Sequence, residues 1–356
     1  MTLELDSPPE ELHGGIDRRE LQALGKTAGE VLDLSSNVLF VRHPPTVRQA
    51  LRETCLSEYP DRDGTELRQR LAERHAIDAA RIVLGNGCCE LIDLLARSVI
   101  DPGDRVLVAG PTFSEYRRVS ANAGARVETI AAGSVPEYSR CLELLSDRLE
   151  VQSARLVWIC NPNNPTGASH RRDGILHFAR GYPSTIVVVD ESYIEFAATT
   201  KSLIGCDVPN IAVLRSLTKS HALAGLRLGY LIASEPVVDS LLSKRIPWSV
   251  NAAAQAVGAA ALAAQSHYDR AMANMASCRG RLIEELQRRG LSPYPSEGGF
   301  VLVPIENSAE FRSELLARNV LVRDCDSFGL ANHVRIAVGD DEAIDRLLLA
   351  IDRIDP

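Results

Sequence analysis

The chain has 356 residues, 45% of them hydrophobic and 24% charged, which is an ordinary globular composition. Its formal net charge of -8 argues against a general nucleic-acid or anionic-membrane surface, so neither partner is expected. The length exceeds what one core usually holds, and a large domain plus a smaller one is the expectation.

The opening stretch, MTLELDSPPEELHGG, is acidic and proline-bearing, without the basic and apolar regions of a signal peptide. No apolar run reaches the roughly 18 residues of a membrane span. A cytoplasmic protein is expected, and residues 1–36 read as an arm with little core of its own. The eight cysteines are scattered, with no C-x-x-C pair and no Cys/His cluster at zinc spacing. They read as reduced small side chains, mostly buried, and no metal is expected.

From residue 37 short apolar runs alternate with helical patterns. ARIVLG leads into CCELIDLLARSVI, and DRVLVAG into TFSEYRRVSANAG; then come ARLVWIC, TIVVVD, NIAVLR and LGYLIAS. Runs of Val, Ile and Leu without polar alternation suit strands buried on both faces. The expected fold class is α/β, with a mainly parallel central sheet flanked by helices spanning residues 37–249. In such sheets ligands bind outside the carboxyl ends of strands, so the polar groups after each run should converge. After PWSVNAAAQAVGAAALAAQ the pattern changes, and residues 250–356 read as a smaller α+β C-terminal domain.

Four segments carry chemistry. In RIVLGNGCCELIDLL, Gly85 and Gly87 permit a tight turn into a helix whose first amides suit an anion, with Cys88 and Cys89 acting through the main chain; such a turn also occurs for structure alone. In NPNNPTG the Asn-Pro steps make a rigid turn by themselves, and a functional Asn164 would donate to an oxyanion. Asp190, closing IVVVD, suits a helix cap or a cationic ring nitrogen, with Tyr193 placed for an oxygen on the same ring. In SLTKSHALAGLRLGY, Lys219 follows an apolar run among small residues, and burial with nearby positive charge lowers a lysine pKa. A lysine so placed forms an imine with an aldehyde, and Ser216, Thr218 and Arg227 suit a phosphate. The set in this order points to pyridoxal 5'-phosphate (PLP), an electron sink for carbanions at Cα.

On NPNNPTG, DESY and SLTK…RLGY the chain resembles the fold-type I PLP enzymes of the aminotransferase class I/II superfamily, from about His13 to the C-terminus. The resemblance implies Lys219, Asp190 and Tyr193 as catalytic residues. It implies that Phe113 stacks on the pyridine face. It also implies that Tyr59 reaches the phosphate of a neighbouring subunit, making the enzyme a homodimer with shared sites. Arg335, in VRIAVG, is similar to the superfamily's carboxylate-binding arginine, whose planar fork suits a bidentate clamp. Arg323, His13 and Asn37 complete the implied substrate set.

Two relatives within the superfamily compete. LHGG, PTFSEYRR, VLRSLTK and IPWSVNA resemble threonine-phosphate decarboxylase of the cobalamin pathway, whereas DESYIEF and VRIAVGDDE resemble histidinol-phosphate aminotransferase. The expected function is therefore a PLP-dependent L-threonine-O-3-phosphate decarboxylase-like lyase. The alternatives are a histidinol-phosphate-type aminotransferase and a specialised-metabolism enzyme such as an amino-acid cyclase. One segment departs from both relatives: in place of N-x-N-P-x-G stand Asn37, Val38, Leu39, Phe40, Val41 and Arg42. Substrate choice is expected to lie there, with His13, Arg42, Arg323 and Arg335 supplying positive charge for a phosphorylated amino acid. A non-enzymatic PLP-fold regulator would typically have lost Lys219 or Asp190, and this chain keeps both.

Overall fold

The computed structural model describes residues 14–354, so His13 lies outside the described residues. In chain order the strands are β1 (Leu32–Asp33), β2 (Ile82–Asn86), β3 (Arg105–Gly110), β4 (Arg126–Ala131), β5 (Leu156–Cys160), β6 (Ile186–Asp190) and β7 (Ile211–Ser216). They continue as β8 (Leu228–Ile232), β9 (Phe300–Pro304), β10 (Val320–Leu321), β11 (Arg323–Asp324) and β12 (His333–Ala337). A seven-stranded sheet has the order β2-β8-β7-β6-β5-β3-β4. Strands β3 to β7 are mutually parallel, and β8 is antiparallel to both of its neighbours.

Both faces of this sheet are covered, which explains the unbroken apolar runs. Along β5, Leu156, Trp158 and Cys160 face the helix Gly87–Val99 with its Leu91, Ile92 and Leu95, while Val157 and Ile159 face the helices Cys141–Val151 and Arg172–Gly181. This is the period of two expected of a strand with two apolar faces, each fully buried Val or Leu contributing about 1.5–3 kcal/mol. Strand β4, on the edge, exposes Arg126 and carries Glu128 in an ion pair with Arg105. Charge on an edge strand discourages pairing with another chain.

The C-terminal part is an antiparallel sheet of order β11-β12-β9, covered by the helices Gln265–Arg288, Ser308–Ala317 and Asp341–Ile351. In it Arg323 and Arg335 stand directly opposite one another. The arm is fastened to this part: β1 pairs in parallel with β10, Glu20 takes both Arg312 guanidinium nitrogens at 2.7 Å, and Leu21 and Val31 bury against Leu316 and Leu321. Among the described residues no helix is long and apolar enough to cross a membrane.

Candidate active site

Polar residues following β3, β5, β6 and β7 converge on a cavity of about 310 Å³ at the carboxyl ends of those strands. The large sheet and its loops contribute Cys88, Cys89, Phe113, Asn164, Asp190, Tyr193, Ser216, Thr218, Lys219 and Arg227; Asn37 enters after β1, and Arg323 and Arg335 come from the C-terminal sheet. Gly87 lies directly behind Arg227. Tyr59 and Arg42 do not line the cavity. Tyr59 is 82% exposed and stacks on Trp248, with ring centroids 4.8 Å apart. Sequence reasoning missed Gly14, Ser35, Ser36, Tyr116, Ser192, Ser327 and Phe328, which line it too. The only hint was position, since several sit one to three residues from a quoted motif.

One end of the cavity is built for an anion. Gly87 begins its helix at φ +75°, and a Cβ there would lie 2.7 Å from Arg227 Nη2, so glycine is required by both backbone and space. A Cβ on Gly229 would lie 2.9 Å from the Cys88 amide nitrogen. The Cys88 thiol turns away to donate to the Arg215 carbonyl at 3.2 Å. Ser216 Oγ and Thr218 Oγ1 lie 2.6 Å apart, and Ser216 caps the turn that carries Lys219. No side chain caps the helix Gly87–Val99. Its first amides, two hydroxyls and one guanidinium thus meet in a cradle suited to phosphate.

Asp190, 4% exposed, closes β6 at the other end. Its Oδ1 accepts from the Ser192 amide at 2.8 Å, and its Oδ2 from the Tyr116 hydroxyl at 2.7 Å. Burial raises its pKa, while those bonds and the Lys219 charge oppose the rise. Lys219 is brought down to about 8 by burial first, then by Arg335 and Arg227. Burial brings Tyr193 up to about 12 against the pull of Arg335, and its oxygen accepts from Asn37 Nδ2 at 3.2 Å.

The three asparagines of NPNNPTG have separate uses. Asn161 binds the main chain of His170 through both amide atoms, and Asn163 donates to the Pro111 carbonyl and the Thr166 hydroxyl. These two build the turn. Asn164 Oδ1 accepts from Arg335 Nη1. A guanidinium only donates, so this contact fixes the amide orientation and leaves the Asn164 nitrogen as a donor. Arg335 Nη2 donates to the Ser35 carbonyl at 2.6 Å, and Arg323 Nη2 to Ser327 Oγ at 2.6 Å. Among the described residues the buried Arg335 Nε has no hydrogen-bond partner. Burial lowers the pKa of both arginines, and for Arg323 the charge of Arg335 lowers it further. Two buried like charges set opposite each other destabilise the sheet, and the carboxylates of Asp324 near Arg323 and Asp33 near Arg335 offset this in part.

The divergent segment enters the cavity through one residue. Of residues 37–42 only Asn37 lines the cavity. Leu39 and Phe40 pack into the core, and Arg42 is exposed, its carbonyl facing His267 Nε2 at 2.9 Å. Just before the segment, Asp33 fixes a turn by accepting from the amides and hydroxyls of both Ser35 and Ser36.

An aldehyde-bearing pyridine phosphate fits this donor set: a phosphate cradle that a Cβ would fill, a buried carboxylate, a phenol and amide pair, and a lysine of lowered pKa. The family model for aminotransferase class I and II matches residues 29–351. The chain is 38% identical over 299 residues to a histidinol-phosphate aminotransferase of Symbiobacterium thermophilum, covering 82% of this chain and 81% of the relative. Among solved structures, histidinol-phosphate aminotransferase of Sinorhizobium meliloti in complex with pyridoxal-5'-phosphate gives a TM-score of 0.81 at 23% identity, covering 95% of this chain and 94% of that one. L-threonine-O-3-phosphate decarboxylase of Porphyromonas gingivalis gives 0.80 at 25% identity, covering 90% and 98%. The chain therefore belongs to the aminotransferase class I and II family, with pyridoxal 5'-phosphate as its cofactor.

Proposed function

We propose that the chain is an aminotransferase of the histidinol-phosphate type, taking a primary amine that carries one phosphate group. The observation that carries this reading is charge. Arg227 belongs to the cofactor's phosphate end, which leaves Arg323 and Arg335 as the guanidinium pair facing a substrate. Two guanidinium groups balance one near-dianionic phosphate. Threonine phosphate adds a carboxylate, which calls for a further cation; among the described residues Arg42 does not line the cavity, and His13 lies outside them. The names of the relatives favour aminotransfer over the lyase reading, and the similarity to the Porphyromonas decarboxylase keeps decarboxylation as the second reading.

When bound, PLP supplies the electron sink for charge developing at Cα. In this reading Gly87, Cys88 and Cys89 amides, Ser216, Thr218 and Arg227 would hold its phosphate, Phe113 would take the ring, and Asp190 would pair with the ring nitrogen. Asn164 and Tyr193 would donate to the ring oxygen. Lys219 Nζ would be the amine that binds the cofactor's aldehyde and the base that takes the substrate's Cα proton. Arg323 and Arg335 anchor the substrate phosphate, with Asn37 beside them. Residues 37–249 form the cofactor domain, and residues 250–356 carry the arginine pair. A second copy of the chain supplies Tyr59 to the phosphate end, completing two shared sites.

The test is a substrate panel. Histidinol phosphate with a 2-keto acid acceptor should give amine transfer that stops when the acceptor is omitted. Lys219→Ala should abolish both turnover and the visible absorbance. Carbon dioxide release from L-threonine phosphate, without any acceptor, would replace this reading with the lyase. Inactivity toward both would assign the scaffold to another amine.

A further inference from the structure

We propose that Tyr116 is a positioning residue for this chemistry: its phenol holds the Asp190 carboxylate as the anion that faces the cofactor's ring nitrogen. The inference rests on PLP binding in this cavity but not on the choice of substrate.

Three observations carry it. The Tyr116 hydroxyl lies 2.7 Å from Asp190 Oδ2, and the ring is 1% exposed. That ring stacks on Trp158, with centroids 5.1 Å apart and planes at 13°, while Phe113 meets it edge-on at 5.7 Å. Trp158 is itself fixed, its Nε1 donating to Ser120 Oγ at 3.0 Å. Tyr116 and Ser120 sit one turn apart on the helix Glu115–Asn122, so one helix face delivers both the donor and the clamp on its stacking partner. A phenol needed only for packing would not require its oxygen to end on the carboxylate that the cofactor uses.

Asp190 is surrounded by few groups that could act in its place. Ser192 holds the other carboxylate oxygen. The thiols of Cys160 and Cys88 are raised by burial and stay neutral across the working range, as does the Tyr193 phenol. Lys219 and Cys89 line the same cavity; the Lys219 charge lowers the Asp190 pKa and in turn faces Arg335 and Arg227, while burial raises the Cys89 thiol. The Tyr116 phenol, raised by burial and by Asp190, keeps its proton and remains a donor. Removing that donor makes the carboxylate more basic. It then competes for the ring proton, the ring withdraws fewer electrons, and the nitrogen shared with Lys219 gains basicity.

The experiment compares holoenzyme of the wild type with Tyr116→Phe, which keeps the ring and deletes one hydroxyl. In the substrate-free enzyme the pH midpoint of the visible absorbance should move upward by about half to one unit. With substrate, kcat should fall about tenfold while KM stays within about twofold. In an Asp190→Asn background the same substitution should shift neither quantity further, because its effect passes through the carboxylate. If Tyr116→Phe does not fold, Ser120→Ala, which releases Trp158, should give a smaller shift in the same direction. An unchanged midpoint at normal cofactor content overturns the inference, as does an equal shift in the Asp190→Asn background. A wild type with no visible absorbance at any pH overturns the cofactor assignment as well.

Discussion

At Lys219 three causes act in one direction, with burial first and the charges of Arg335 and Arg227 after it, bringing the pKa to about 8. An unfolded lysine titrates near about 10.4, so the folded chain holds fewer protons between these values. Below about 8 the buried charge destabilises the cofactor-free fold, and that penalty fades as pH rises toward the unfolded value. Only the neutral amine attacks an aldehyde. Reconstitution of cofactor-free protein with PLP should therefore be about tenfold faster at pH 9 than at pH 7, followed by the rise of visible absorbance. A rise of about a hundredfold across that interval would show that the lysine is not perturbed. The setting of Lys219 was legible in the sequence because small residues, hydroxyls and an arginine at fixed spacing share one segment. Tyr116 was not, because an aromatic one turn from Phe113 is what any core-facing helix presents. Its function depends on Asp190, which another strand brings to it.

The ends of β6 and β7 are tied together beneath the cavity by buried charge. Arg215, 6% exposed, reaches Glu195 at 2.9 Å and Glu191 at 3.4 Å, and Arg74 joins Glu195 at 3.0 Å. Glu191 follows Asp190 in the chain, and Arg215 precedes Ser216, so the ion pair sets the relative height of two cavity residues. Burial pushes Glu195 up, but Arg215, His221 and Arg74 outweigh it and hold the carboxyl at about 2. Its contribution to stability is present above the ordinary carboxylate range and is lost as pH falls toward about 2. Arg215→Met should cost about 3–5 kcal/mol at neutral pH, read as a lower denaturant midpoint, because it leaves the buried Glu191 carboxylate without a guanidinium and Glu195 with Arg74 alone. The deficit should shrink in acid as they take up protons; a deficit independent of pH would assign the loss to packing instead. In the sequence these residues are single charges beside motifs, and nothing in a strand pattern tells that Arg215 and Glu191 share an interior. The loss of the proline and glycine from residues 37–42 was visible in the sequence, whereas the turn that Asp33 makes with Ser35 and Ser36 depends on four hydrogen bonds to its side chain.

For the whole molecule, the layered architecture was readable because a sheet covered on both faces writes unbroken apolar runs into its strands. The antiparallel insertion of β8 between β2 and β7 was not, since a fully buried strand reads the same in either direction. Leu56, Tyr59 and Ile246 are 94%, 82% and 64% exposed, and Tyr59 stacks on Trp248. In the proposed dimer a second copy would cover such residues and receive Tyr59. Light scattering should give twice the mass of the chain. Ile246→Asp should yield monomers that bind PLP at least tenfold more weakly, and Tyr59→Phe should weaken binding without dissociating the pair. A monomeric wild type with full cofactor affinity would remove Tyr59 from the site. The pairing of β1 with β10 also bears on how the molecule is made. Ser35 and Arg335 meet across 300 residues of sequence, so one wall of the cavity is a seam between the beginning and the end of the chain. During synthesis the arm leaves the ribosome long before β10 and must wait for it. A chain halted before β10 would own the phosphate cradle, Asp190 and Lys219, yet have nothing to close the seam.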